Sequence, residues 1–212
     1  MPSVKVTERG ISFFDAGSIN VLGRAALESF LVFNYVFIEP RSDDEKDFRY
    51  YLWLYASYRD KQKFSPRSIG ALKEKINNNS VFKQLDIKKK EKLLKGEWRL
   101  HSWTNIGMSA GLSEILAKQF YGHLCNYAHS GCKSVQQIGN AKTAEIQKAL
   151  CDATMKLIMI AMANMIKAYC QLFKKSNDIL QQDEEAKKLI GQWIHIGTSL
   201  PNVINNIVKG RK

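Results

Sequence analysis

Two short stretches of this chain carry reactive side chains at helical spacing. In Leu22-Gly-Arg24-Ala-Ala-Leu27-Glu28 the cation and the carboxylate fall at i and i+4, so on a helix they share one face and can pair. Their neighbours are apolar. The pair therefore predicts either a self-neutralising lock between helices or one wall of a polar pocket in which Glu28 orients a partner. In Tyr121-Gly-His123-Leu-Cys125-Asn126-Tyr127-Ala-His129-Ser130, residues Tyr121, Cys125 and His129 stand at i, i+4 and i+8. One helix face then carries a phenol, a thiol and an imidazole, the last at the C-terminal end, where the macrodipole favours a protonated ring. A histidine at that end can also do no more than cap the final carbonyls. A functional site requires that Arg24, Glu28, Tyr121 and His129 meet in one cleft.

Metal chemistry is weakly signalled. Cys125-x3-His129-x2-Cys132, with His123 nearby, offers soft ligands, but His123 lies half a turn from the Cys125 and His129 face and no CxxC pair occurs. No metal and no cofactor are expected. Walker phosphate loops, GxGxxG and HExxH are all missing from the sequence. The aromatic and basic run from Phe48 to Lys61 has the composition of a single-stranded RNA platform. Its spacing instead divides into an inward face of Tyr51, Leu54, Tyr55 and Tyr58 and an outward face of Lys46, Arg49 and Asp60, which predicts core packing.

The elements that must position these groups read as helices throughout. A first helix is expected from about Phe13 to Ile38, with Ile19, Leu22, Ala26, Phe30, Phe33 and Phe37 inward and Glu39-Pro40 as its stop. Ser42-Asp-Asp-Glu45 is a capping box for a second helix that runs to about Lys63. Ser65-Pro66 caps a third, and Asn77-Asn78-Asn79 breaks it. Residues Ser80–Leu94 hold one or two short helices, with Asp86 as a cap and Gly96 as the end. Trp98, Trp103 and the small residues Gly107, Ser109, Ala110 and Gly111 form a connection before a helix from about Ser109 to His129. Ser130-Gly131 opens a loop to Asn140, and the longest helix follows from about Ala141 to Lys175, with Ile146, Leu150, Thr154, Leu157, Ala161, Met165 and Tyr169 in register. Asp183-Glu184-Glu185 starts the last helix. The fold class is all-α, an up-and-down helical bundle with long central helices. Residues 1–212 form a single domain in this reading, with 1–12 and 203–212 peripheral.

Composition sets the setting. The 32 basic and 20 acidic residues leave a formal charge of +12, which attracts polyanions without choosing among them. Val21–Ile38 contains Arg24 and Glu28, and Leu157–Ile166 is short and flanked by lysines, so both are read as core helices and no membrane association is expected. The first residues lack a signal-peptide pattern and the four cysteines fall in or beside helices, which points to reduced thiols and a cytoplasmic protein.

Taken together, Leu22 to Glu28, Arg59 and the Tyr121 to Ser130 segment resemble uncharacterised bacterial helical proteins related to the HEPN superfamily, over about Ile19 to Ser130. The resemblance implies a HEPN-like bundle, a homodimeric assembly and a metal-independent ribonuclease of bacterial defence or stress. In such enzymes an arginine precedes a histidine by four to six intervening residues. Here the histidine is His129 and the matching positions are Gly122, His123 and Leu124, so the nuclease motif is not intact. His129, Arg24, Glu28 and Tyr121 are the catalytic candidates, with Arg59, His123 and Asn126 as substrate-holding candidates. The loss of the spacing favours binding of RNA or nucleotide over cleavage and leaves enzyme status open. The alternative is a non-catalytic helical protein-interaction module, whose polar pairs only specify packing.

Overall fold

The computed structural model describes residues 4–6, 11–59 and 66–209. In chain order these form β1 (Val4–Val6), β2 (Ile11–Phe13), α1 (Ala16–Phe33), a π-helical turn (Asn34–Ile38), α2 (Asp43–Arg59), α3 (Pro66–Asn78), α4 (Ser80–Gln84) and α5 (Ile87–Leu94). There follow α6 (Trp103–Ser109), a second π-helical turn (Leu116–Phe120), α7 (Tyr121–Ala128), α8 (Cys132–Asn140), α9 (Ala144–Leu172), α10 (Lys174–Gln182) and α11 (Glu184–Lys209). The class is all-α. Among the described residues the one departure is a short antiparallel pair in which Val4 stands opposite Phe13.

The chain divides into two compact units, Met1–Val32 with Trp103–Lys212, and Phe33–Ser102, where the sequence reads as a single domain. In the first unit α1 buries Ala16, Asn20, Gly23, Leu27, Phe30 and Leu31. Gly23 is what brings α1 and α9 so close: a Cβ there would lie 2.6 Å from Thr154 Cγ2. Beside it Thr154 Oγ1 donates to Asn20 Oδ1 at 2.7 Å, and Asn20 Nδ2 donates to Ala16 O at 2.7 Å, so a fully buried polar pair is satisfied. Leu22, expected inward, is 65% exposed, because the buried stripe runs one residue further round the helix. Likewise Ile146 and Tyr169, at the two ends of the α9 stripe, are exposed, and the buried residues are Cys151, Thr154, Ile160, Ala161, Ala163 and Ala168.

Local signals account for most helix ends. Ser42 Oγ accepts from Glu45 N at 3.2 Å, while Glu45 turns to Arg41 N rather than Ser42 N, so half of the capping box forms. Asn79 caps α4 through Val81 N, Asp86 caps α5 through Lys89 N, and Thr143 caps α9 through Ile146 N. Gly96 closes α5 at φ +101°, a conformation open to glycine. Three expectations fail. The Ser109 start gives way to α6, which ends at Ser109; Gly111 at φ +86° makes the turn. The expected loop to Asn140 is α8, and Lys174 opens α10 after a break at Phe173. The Ser65 cap, Asp60 and the second helix beyond Arg59 lie outside the described residues.

In the second unit Phe48, Leu52, Tyr55, Ile69, Ile76, Phe82 and Leu93 make the core. Arg49, expected outward, is 4% exposed, and Tyr58, expected inward, is 40% exposed. Arg49 is held by Glu39 and Glu45, each at 2.6 Å, by Tyr35 O at 2.8 Å, and by the Tyr35 ring, 4.1 Å from its Cζ. Three acceptors and a ring face compensate the charge that burial opposes.

By length and composition alone, Ala16–Ile38 and Ala144–Leu172 are apolar enough to cross a membrane, and less than half of either is buried.

Candidate functional site

Arg24 and Glu28 lie on α1 beside its buried stripe, so the packing of Gly23 and Leu27 sets their height and direction. Across from them, the π-helical turn Leu116–Phe120 runs directly into α7. The extra residue of a π turn changes which side chains share a face. Leu124 and Tyr127 anchor α7 in the core, which leaves Tyr121 and Cys125 half-buried and His129 exposed along one edge.

The end of α7 fixes His129. Gly131 N donates to Asn126 O at 2.7 Å and Ser130 N to Tyr127 O at 3.2 Å, the Schellman pairing, with Ser130 at φ +50° in the position glycine usually takes. Because backbone groups satisfy the last carbonyls, the imidazole is not needed as a cap. It reaches α1 instead.

The four catalytic candidates converge. Arg24 Nε donates to Glu28 Oε1 at 2.9 Å, Arg24 Nη1 lies 3.0 Å from His129 Nε2, and Tyr121 Oη donates to Glu28 Oε1 at 2.9 Å. Arginine has no acceptor, so His129 Nε2 must accept from it, which requires a neutral ring with its proton on Nδ1. Burial opposes the charge of Arg24, but the hydrogen bond and the charge of Glu28 outweigh it and raise its pKa. Burial, followed by the bond and charge of Glu28 and by Cys125, pushes the Tyr121 phenol well above its ordinary value. Tyr121 is thus a donor and not a base. The cluster holds one cation, one carboxylate, a neutral phenol and a neutral imidazole.

It is also open. The Arg24 and Glu28 side chains are 21% and 29% exposed, and Arg24 Nη2 has no hydrogen-bond partner among the described residues. Such a guanidinium edge beside an imidazole can receive an oxyanion.

The substrate-holding candidates do not join this cluster. His123 packs against Tyr127, with ring centroids 5.1 Å apart and planes tilted by 59°, and burial lowers its pKa. Asn126 belongs to the capping turn: its carbonyl accepts from Gly131 N and from Ser134 Oγ. Arg59 is in the second unit, where its guanidinium lies against Gly96. One neighbour was absent from the sequence reading of the site. Trp103, opening α6, places its ring 5.7 Å from that of Tyr121. Its only sequence signal is an aromatic next to small residues.

Cys125, Cys132, Cys151 and Cys170 are free thiols. Among the described residues no group of three or more His, Cys, Asp or Glu side chains is placed to hold a metal. No family model, curated protein or solved structure matches the chain.

Proposed function

We propose that the Arg24, Glu28, Tyr121 and His129 cluster is an oxyanion site through which a HEPN-like protein holds RNA or nucleotide in bacterial defence or stress. The observation that carries this reading is Arg24, which bridges Glu28 and His129 and keeps a guanidinium edge without a partner among the described residues. Phosphate oxygens match that edge, and the formal charge of +12 brings polyanions to it. Glu28 orients the guanidinium, and Tyr121 orients Glu28. The reading includes a cytoplasmic homodimer without membrane association.

Cleavage of RNA without metal needs a base for the 2′-hydroxyl and a cation for the charge that develops on the phosphate. His129 is the base in this scheme, once Arg24 leaves Nε2 for the phosphate. Two measurements test the reading. Retention on immobilised RNA should fall steeply with salt and should drop for Arg24→Ala. Cleavage with metal chelated should vanish in His129→Ala at unchanged helicity; its persistence there removes the catalytic assignment, and salt-independent or absent retention removes the RNA reading.

The interaction-module reading has one observation of its own. Val135 and Ile138 on α8 are 56% and 49% exposed, the kind of surface that a protein partner covers. Its signature is a complex that survives high salt while RNA retention is absent.

A further inference from the structure

The charge balance of the resting cluster limits how it can bind. Arg24 carries a positive charge, Glu28 a negative one 2.9 Å away, and the phenol and imidazole are neutral. An oxyanion that approaches Arg24 meets a cation whose field Glu28 has already largely cancelled, and it comes close to that carboxylate. One group can restore the attraction. His129 Nε2 accepts from Arg24 in the resting geometry, so protonation turns an acceptor into a donor and sets two donors 3.0 Å apart. That contact is then repulsive. An oxygen that accepts from both donors relieves it.

Resting on the oxyanion reading above, we propose that the Arg24 and His129 pair takes up a singly charged oxyanion together with one proton, which adds to His129 Nε2. The proton comes from solvent, and no other bond forms or breaks; a ring so protonated is not a base, so RNA taken up in this state is held and not cut. One negative charge and one proton keep the half-buried cluster neutral. A phosphodiester or carboxylate fits that balance, whereas the dianion of a terminal phosphomonoester leaves a net negative charge beside Glu28. The groups that face His129 are Arg24 and, behind it, Glu28 from α1, with Tyr121 and Cys125 from its own helix; Cys132 and Lys133 open α8, both exposed.

The linkage has a definite sign. A ligand that binds the protonated ring binds tightest at low pH, and its affinity declines once pH passes the titration midpoint of His129. The test is an NMR titration of the protein with a dithymidine phosphodiester, which carries one charge and no 2′-hydroxyl, between about pH 5.5 and 8.5. Above the midpoint at which the His129 ring signals titrate, affinity should fall about tenfold per pH unit, and below it should be flat. In His129→Gln, whose amide can accept or donate but does not titrate, the profile should be flat throughout. A flat wild-type profile, or a slope that persists in His129→Gln, overturns the coupling while anion binding stands. No saturable shift at Arg24 and His129 at any pH overturns the oxyanion reading itself and the coupling with it.

Discussion

Two arginines in this molecule share one sequence signature and meet different fates. Arg49 follows Glu45 by four residues, and Arg24 precedes Glu28 by four, so each forms an ion pair along its own helix. Arg49 is then closed off. Its side chain is 5% exposed, a second carboxylate and a backbone carbonyl occupy Nη1, and a tyrosine ring covers the guanidinium. Arg24 has one carboxylate, a histidine that can change its protonation, and an edge facing outward. A charge closed off by fixed partners serves packing. A charge partly open to solvent, beside a group that can change its protonation, is free to bind.

The strongest way to break this contrast is to remove the closed arginine. Arg49→Ala leaves Glu39 and Glu45 facing each other and uncovers the Tyr35 ring, at an expected cost of about 3 kcal/mol. Urea unfolding followed by the fluorescence of Trp53 and Trp98, both in the same unit, should show the midpoint shift. Loss of less than about 1 kcal/mol would place Arg49 among ordinary surface pairs. Its Nε, the one buried side-chain polar atom without a partner among the described residues, already marks the site as imperfectly satisfied.

The next effect lies under the open cluster. Gly23→Ala places a methyl 2.6 Å from Thr154 Cγ2, and the backbone shift this forces should cost about 2 kcal/mol, reduced by the helix propensity of alanine. Thr154→Ser removes that methyl and keeps the hydroxyl that Asn20 accepts from. In the double variant most of the loss should return, and a double-mutant cycle in thermal unfolding measures the coupling. Additive losses would mean that Gly23 is required for another reason.

Arg24→Ala sharpens the comparison from the other side. The pair with Glu28 is partly solvated, so stability should change by no more than about 1 kcal/mol. Retention on RNA should nevertheless fall, because the phosphate contact is lost. If thermal unfolding shows a loss as large as that for Arg49→Ala, the open arginine is a packing residue as well.

What the sequence makes legible follows from how local each cause is. The i, i+4 pair of Arg24 and Glu28 and the Asp86 cap depend on a few consecutive residues, and the structure has both. The face shared by Tyr121, Cys125 and His129 is equally local, and their approach to α1 was a bet on tertiary structure that the distances now carry. Arg49 is illegible because its burial depends on Glu39 and Tyr35 from a different helical turn; periodicity alone sends a charge outward. The stripe through Leu22 misses by one residue because Gly23, which sits closest to α9, gives no apolar signal, and the start at Ser109 is lost to the turn that Gly111 makes after α6. In α8 the buried side chain is Ser134, while Val135 and Ile138, three apart, are exposed, so the apolar spacing is too short to announce a helix there.

Ser130 supplies the smallest and most pointed prediction. It holds φ at +50°, where a side chain's Cβ crowds the backbone at a cost of about 1 kcal/mol, and it occupies the Schellman position that glycine fills without strain. Ser130→Gly relieves that strain but loosens the unfolded chain, so the net gain should be about 0.5 kcal/mol, read as a small rise in the unfolding temperature. The same residue follows His129 directly, and its turn aims the imidazole at Arg24 rather than at the helix carbonyls. Stabilising the turn should therefore leave oxyanion affinity and its pH dependence intact. A variant that is more stable yet has lost the pH dependence would show that the strained serine, and not the turn as such, sets the His129 ring against Arg24.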